Sequence, residues 1–322
     1  MSHGYGNDSR GHRQSIVVTV MVMSIRPSPF PSPPMPELPA DHVATAEFQL
    51  RYEDLAQDGR MMMTALPPAL GWTVWRALRN KLSPKQVQQR GIVPILTRLT
   101  VDGTDAAIRV DQSIEGTGGY ELARHAPDGV VERLFMNMWV EVRGPSGRMM
   151  PPSGPGPMVV AGRLFAEHMF TKLFAPPAER KVTRLDVEGV AEPTADYAFP
   201  GADTARQLPE GAVAIDDDFR VDPTEICFGL DHTDSNQHVN SLVYPRLFAE
   251  AALRRLAEHG RSRNVLVRHL DIAYRKPSFA GDRVRVHVRA FLLGDRPGIV
   301  GVLVGEGEPL DRPRCAARIL LG

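Results

Sequence analysis

The sequence predicts an α+β protein made of two tandem units, each a strand, a polar loop, a helix and a run of antiparallel strands. Three observations lead there. Strand-length segments alternate apolar with polar residues, most clearly where Val284, Val286 and Val288 alternate with Arg283, Arg285, His287 and Arg289, giving one buried and one wet face. The same order of segments occurs twice along the chain. A Pro- and Gly-rich stretch separates the two copies.

Taken in order, residues 1–40 read as a disordered Pro-rich leader. Ser15–Ile25 within it is apolar but shorter than the roughly 20 residues that span a bilayer, and no small-residue cleavage site follows. Residues 41–152 form the first unit. Ala44–Tyr52 alternates as a strand, and a helix is expected from about Leu66 to Leu82. Strands are expected at Ile92–Val101, Ala106–Ser113, Tyr120–His125 and Arg133–Arg143, divided by Gly, Asp and Pro turn signals. Residues 153–217 read as a linker with one short helix, Arg163–Leu173, because so long a structureless stretch inside one compact domain is unusual. Residues 218–322 form the second unit, with strands at Thr224–Leu230, Val265–Arg275, Arg283–Leu293, Ile299–Glu306 and Cys315–Leu321. Its helix is expected over about Ser241–His259, and Pro245 fits near the start of that helix, where a missing N–H costs nothing.

The copies can be laid over each other. Asp54 falls on Asp231, Leu66 on Val243, Pro68 on Pro245 and Leu70 on Leu247; after a one-residue slip, Gly103 falls on Gly281, Ile108 on Val286 and Val110 on Val288. Together these matches argue for an internal duplication.

Composition narrows the function. Hydrophobic residues make up 43% and charged residues 24%, enough for a packed core, and Lys plus Arg balance Asp plus Glu. A neutral chain lacks the broad basic footprint of a nucleic-acid binder. Cys227 and Cys315 alone make neither a disulfide framework nor a zinc site, which fits a reducing cytoplasm. His232, His269 and His287 lack metal-ligand spacing, so neither a metal nor a cofactor is expected.

The chemistry concentrates in one loop, Asp231 to Asn240, just before the second helix. Asp234 can attack a carbonyl or activate a water. Asn236 can place that water. His238 can act as a base or receive the leaving thiolate's environment, and Asn240 suits a helix cap. Unsatisfied N–H groups from Val239 to Val243 would polarise a thioester carbonyl. Tyr244 reads as a core aromatic with a bonded hydroxyl, Glu250 as a helix carboxylate that can face the site, Ser278 as a loop donor, and Asp231 as a turn residue. The bland alternative is that Asp and Asn here only build a turn and a cap.

The pattern Asp234-Ser-Asn236-Gln-His238-Val-Asn240, with Tyr244 four residues on, resembles the active-site loop of plant and bacterial acyl-ACP thioesterases. Ile272-Ala-Tyr274-Arg-Lys-Pro277-Ser278-Phe-Ala-Gly281-Asp282 is similar to the strand-and-turn signature of small bacterial acyl-CoA thioesterases. The resemblance implies two hotdog domains, each a sheet wrapped around a long central helix, paired as an intramolecular pseudo-dimer. It implies hydrolysis of an acyl thioester on ACP or CoA, with carrier docking on a surface where Arg275, Lys276, Arg283 and Arg285 meet phosphates or an acidic protein. A homodimer of such pairs is compatible with it. One departure stands out: plant enzymes carry a Glu-Cys pair where this chain has Pro277-Ser278, so the plant catalytic set is incomplete. A non-catalytic acyl or CoA binder and a hotdog 3-hydroxyacyl thioester dehydratase remain as alternatives. In the first copy, counting back puts Gly59 at the place of Asn236, Met61 at that of His238 and Met63 at that of Asn240, and Met61-Met62-Met63 suits an apolar wall for an acyl chain.

Overall fold

A computed structural model describes residues 28–30, 32–78, 87, 89–152, 154–188 and 190–322. Its centre is one sheet. The strands are β1 (Val43–Phe48), β2 (Val93–Gly103), β3 (Ile114–His125), β4 (Arg133–Pro145), β5 (Met158–Thr171), β6 (Ala195–Asp196), β7 (Val213–Ala214), β8 (Arg220–Cys227), β9 (Val267–Tyr274), β10 (Arg283–Leu293), β11 (Arg296–Gly305) and β12 (Cys315–Leu321). They run in the order β1-β3-β4-β5-β2-β9-β12-β11-β10-β7, with β8 also on β10 and β6 beside β3. All neighbours are antiparallel except β3 and β6.

The order reads the same from both ends. Leaving aside the two-residue strands, β1-β3-β4-β5-β2 on one side is matched by β8-β10-β11-β12-β9 on the other. Each set lies in chain order except for the strand that follows the helix, which goes to the middle. There β2 and β9 pair, Leu99 opposite Ile272 and Val101 opposite Leu270.

Helices cover one face. In the second half α3 (Val243–Glu258) lies on β8 to β12 and buries Tyr244, Phe248, Ala251, Ala252 and Leu256 against Val284, Val286 and Ile272. The close approach needs a bare backbone: a Cβ on Gly301 would sit 2.7 Å from the Phe248 ring. In the first half the helical cover is broken into α1 (Ala69–Trp72) and α2 (Val74–Leu78), with Thr73 off helical geometry and its hydroxyl on the Ala69 carbonyl. A Cβ on Gly118 would sit 2.6 Å from that hydroxyl. The expected Leu66–Leu82 helix is therefore interrupted, and its far end falls outside the described residues. The cluster Met61, Met63, Leu66 and Leu70 is buried in the main core.

Three expectations are corrected. Arg163–Leu173 is not a helix in a linker: Met158–Thr171 is β5, paired on both sides with β4 and β2. Its inward residues Leu164, Ala166 and Phe170 alternate with the outward residues Phe165 and Glu167, but the surrounding apolar density also fits a helical period. Ala106–Ser113 is not a strand; only Ala107 and Ile108 form single bridges, with Arg60 and Ser146. Residues 28–30 and 32–40 are not free of structure either. Phe30 is 3% exposed against Phe291, Val300 and Leu320, with the Arg318 guanidinium over its ring, and the Trp139 indole donates to the Pro33 carbonyl at 2.8 Å. Proline fixes the extended form in advance, so a few apolar anchors suffice to lay this segment on the sheet face opposite the helices. Trp139→Phe is expected to cost about 1 kcal/mol by losing that single bond, read as a lower urea midpoint with unchanged slope. The leader before residue 28, including Ser15–Ile25, lies outside the described residues.

Charge ties the second helix to the sheet. Asp216 accepts from Arg255 Nε at 3.0 Å, from the Ala290 N–H at 2.8 Å, and meets His259 Nε2 at 3.1 Å. Burial pushes its carboxyl up, but the Arg255 bond, the Ala290 N–H and His259 more than offset this and hold it at about 2, below its ordinary 3.8. A carboxyl lowered on folding stabilises above its unfolded pKa, and that stability is lost as pH falls through the folded value. The expected contribution is about 2 kcal/mol, present at pH 5, mostly lost by about pH 2 and gone below it. Urea unfolding across that range is expected to be flatter for Asp216→Asn than for the wild type.

Candidate active site

The loop between β8 and α3 is built from its own polar side chains. A short 3-10 turn, Leu230–His232, leads in, and Thr233 bridges to Val239, closing a tight loop in which Gln237 takes a positive φ of 65°. The Asp234 N–H donates to the His238 carbonyl at 3.2 Å, and the Gln237 N–H to the Asp234 carbonyl at 2.9 Å. The Asp234 carboxylate holds the interior. Oδ1 accepts the Asn236 N–H at 2.8 Å, and Oδ2 accepts the Asn240 amide at 3.2 Å. Asn240 in turn accepts the Leu242 N–H on Oδ1 at 2.9 Å and the Val243 N–H on its carbonyl at 3.0 Å, capping the turn that opens α3.

What remains open defines the chemistry. Asp234 and His238 are half-buried, and Asn236 is exposed with its carboxamide bonded to no protein group among the described residues. His238 Nδ1 lies 3.3 Å from the Val239 carbonyl. A carbonyl can only accept, so Nδ1 is the donor in this contact, and Nε2 is the nitrogen left for a ligand or water. Each Asp234 oxygen has one donor and can take a second from a water. Carboxylate, carboxamide and imidazole thus lie on one loop.

The N–H groups are mostly taken, contrary to expectation. Val239 donates to the Ser278 carbonyl at 2.7 Å, Asn240 to the His232 carbonyl at 2.9 Å, and Leu242 and Val243 to Asn240. In the stretch Val239–Val243 this leaves only the Ser241 N–H without a protein acceptor among the described residues. Tyr244 is 3% exposed, edge-on to Phe228 and Tyr274, and the Tyr274 hydroxyl donates to the Ser241 carbonyl at 2.9 Å, fixing that turn. Burial pushes the Tyr244 phenol up, and the neighbouring Ser278 draws it partly back. Ser278 is fully buried and its Oγ makes no well-formed bond. Tyr244 and Ser278 therefore underlie the loop. Glu250 is placed elsewhere: it is exposed on α3 and paired with Arg254 at 3.6 Å. Asp231 is an exposed turn residue. Among the described residues no three His, Cys, Asp or Glu groups gather to hold a metal.

The expected basic surface is neutralised. Arg275 pairs with Asp203 at 2.8 Å, Lys276 with Glu308 at 3.7 Å, and Arg283 and Arg285 with Glu225 at 3.0 and 2.9 Å.

The first half contains the same loop in backbone, one residue out of the register expected. Tyr52–Asp54 repeats the 3-10 turn, the Leu55–Met61 bridge repeats Thr233–Val239, and Gly59, with φ 82°, repeats Gln237. The Ala56 N–H donates to the Arg60 carbonyl as Asp234 does to His238, and Met62 to Asp54 as Asn240 does to His232. Ala56 thus stands for Asp234, Asp58 for Asn236, Arg60 for His238 and Met62 for Asn240. Counting apolar matches in the helix could not find this. The positive-φ glycine, aligned on Gln237, was the available signal.

Comparisons agree with the fold. The family model for the thioesterase superfamily matches residues 236–307, so it takes in Asn236, His238 and Asn240. An acyl-ACP thioesterase from Bacteroides thetaiotaomicron is 13% identical, with 88% of this chain and 98% of that one covered and a TM-score of 0.57. The 12:0-ACP thioesterase from Umbellularia californica is 12% identical, with 89% and 99% covered and a TM-score of 0.55. No curated relative matches the chain. The resemblance to acyl-ACP thioesterases read from the sequence holds, and the large antiparallel sheet with its helices is of the hotdog type.

Proposed function

We propose that the chain is a fused pair of hotdog units and that its second unit hydrolyses an acyl thioester, carried on ACP or CoA, to free acid and thiol. The mirrored strand order around the β2–β9 pair supports the pair: the first unit runs from β1 to the end of β5, the second from β8 to β12. The observation that carries the activity is the half-buried Asp234 carboxylate, held by the Asn236 N–H on one oxygen and the Asn240 amide on the other with a lone pair left on each, on the same loop as the His238 imidazole.

In this reading Asp234 activates a water that Asn236 positions, or attacks directly. The Ser241 N–H meets the developing oxyanion. Water adds its oxygen to the carbonyl carbon as Asp234 takes its proton, and the tetrahedral oxyanion then collapses with loss of the C–S bond, the proton passing from Asp234 to the departing sulfur. Where Asp234 attacks directly, the C–S bond breaks to give an acyl–aspartyl anhydride that a water hydrolyses to the free acid. Leu230 and Phe279, 81% and 50% exposed, flank the loop and give an arriving carrier arm an apolar threshold. The two cysteines are free thiols, which fits a reducing compartment such as the cytoplasm as the place of action.

A second reading, an acyl-thioester binder without turnover, is favoured by Pro277-Ser278 and by the occupied N–H groups. Thiol release across acyl-CoA and acyl-ACP substrates of graded chain length decides. Turnover with a chain preference supports the hydrolase. Binding without thiol release overturns it, and an enoyl product would mean dehydration.

A further inference from the structure

Beside the first-half loop lies a buried charge without a counter-ion. Arg268, on β9, is 2% exposed. Its Nη2 donates to the Thr104 carbonyl at 2.7 Å, while Nε and Nη1 are buried with no acceptor. Among the described residues no carboxylate reaches ion-pair distance of it. Asp58 and Asp105 are nearby but are taken by Arg60, at 2.6 and 3.4 Å. Burial lowers the Arg268 pKa to about 10; Arg60 adds to the lowering, Asp105 and Asp58 oppose it, and Arg296 adds again. A desolvated guanidinium with open donors is strongly unfavourable unless an anion answers it. The backbone is nonetheless shaped around it: a Cβ on Gly103, at the end of β2, would collide with Nη2, and Met63 closes the same spot.

The surroundings select the anion. Arg268 points to the helix face with Leu270, and the facing strand contributes Val101 there; both are buried, and Leu66 closes on neighbouring Gly162. A phosphate dianion would lose too much hydration here. A monocarboxylate on a hydrocarbon chain suits both the charge and the apolar walls. The loop alongside is the backbone twin of the catalytic loop, so a second head-group position on this side follows from the duplication.

We infer that the first half holds a fatty-acid site, in which the carboxylate of a long-chain monocarboxylic acid takes the open Nε and Nη1 donors of Arg268 and its alkyl chain lies along Met63, Leu66, Val101 and Leu270. The inference rests on reading the second half as an acyl-thioester hydrolase, since the free acid is then the product, held away from Asp234.

Calorimetric titration of the full chain with dodecanoate tests it, with dodecanol as the uncharged control. Wild type is expected to bind dodecanoate in two classes. Arg268→Met, which removes the charge at similar volume, is expected to lose about tenfold or more in one of them. Dodecanol is expected to fill only the class that survives in the variant. Unchanged dodecanoate binding in Arg268→Met overturns the site. Should that variant not fold, equal binding of dodecanol and dodecanoate to wild type overturns it instead. Thiol release measured alongside separates the two readings. Charge-dependent dodecanoate binding without thiol release keeps the site and sinks the hydrolase; thiol release with charge-independent binding does the reverse.

Discussion

Asp234→Asn is expected to slow thiol release by about two to four orders of magnitude, the usual worth of a positioned acid–base or nucleophilic group. The substitution keeps size and shape. The new carboxamide can still accept the Asn236 N–H on its oxygen, but turns a donor toward the Asn240 amide where Oδ2 now accepts. That conflict costs about 1 kcal/mol of local stability, so the protein should fold and melt close to wild type. The rate loss and the stability loss therefore separate. Asn240→Ala is the control for the opposite case, since it removes the turn cap and one hydrogen bond to Asp234 while leaving the carboxylate itself in place. A fall in thiol release for Asp234→Asn with little change in melting identifies Asp234 with the chemistry. A variant that keeps most of its rate would make Asp234 a turn residue, the bland reading of the motif, and would assign the chemistry to another group. Activity should be followed with acyl-CoA and acyl-ACP side by side, because a carrier mismatch alone would mimic inactivity.

The parts of this molecule that the sequence announced are those where one periodicity is possible. Arg283–Leu293 and Cys315–Leu321 are strands at the residues expected, because valine and arginine alternate in the first and small and branched residues fill the second. Met158–Thr171 was missed because a strand buried on both faces has apolar residues at every spacing, and a Pro-rich approach suggested a linker. The loop from Asp234 to Asn240 was legible because short polar side chains close together in sequence bond to their own backbone, and that geometry is local. What surrounds the loop is not local. That Ser278 would take the Val239 N–H, or that Glu250 would face Arg254 and solvent, depends on how β9 and α3 are placed. The twin loop in the first half was found one residue out of register because its side-chain identities had diverged while its backbone geometry survived, and of that geometry the glycine at Gly59 was the part visible in sequence.

The second large effect is expected far from the loop. Asp271→Ala should destabilise the protein by about 3–5 kcal/mol, the cost of leaving buried charges unpartnered. Asp271 is fully buried on β9 and accepts Arg98 Nε at 2.7 Å and Nη2 at 2.6 Å, and Arg318 Nη2 at 2.6 Å. Arg98 comes from β2, so the pair crosses the line where the two halves of the sheet meet. Its Nη1 reaches onward to the Gly201 carbonyl and the Thr204 hydroxyl, pinning the covering segment. Removing the carboxylate leaves two guanidinium groups in the interior with one further carboxyl, Glu167, near Arg98; burial already holds that group toward its neutral form, so it is a poor replacement. Removing the whole set should be far less harmful. Arg98→Met, Asp271→Leu and Arg318→Met combined should recover most of the loss, because paired buried charges repay little more than their own desolvation. Urea unfolding of the single and triple variants distinguishes the cases. A triple variant as weak as Asp271→Ala would show that the network holds β2 to β9 by its bonds. Recovery would show that apolar contacts such as Leu99 on Ile272 hold the halves together, and that the charges select the register in which they meet.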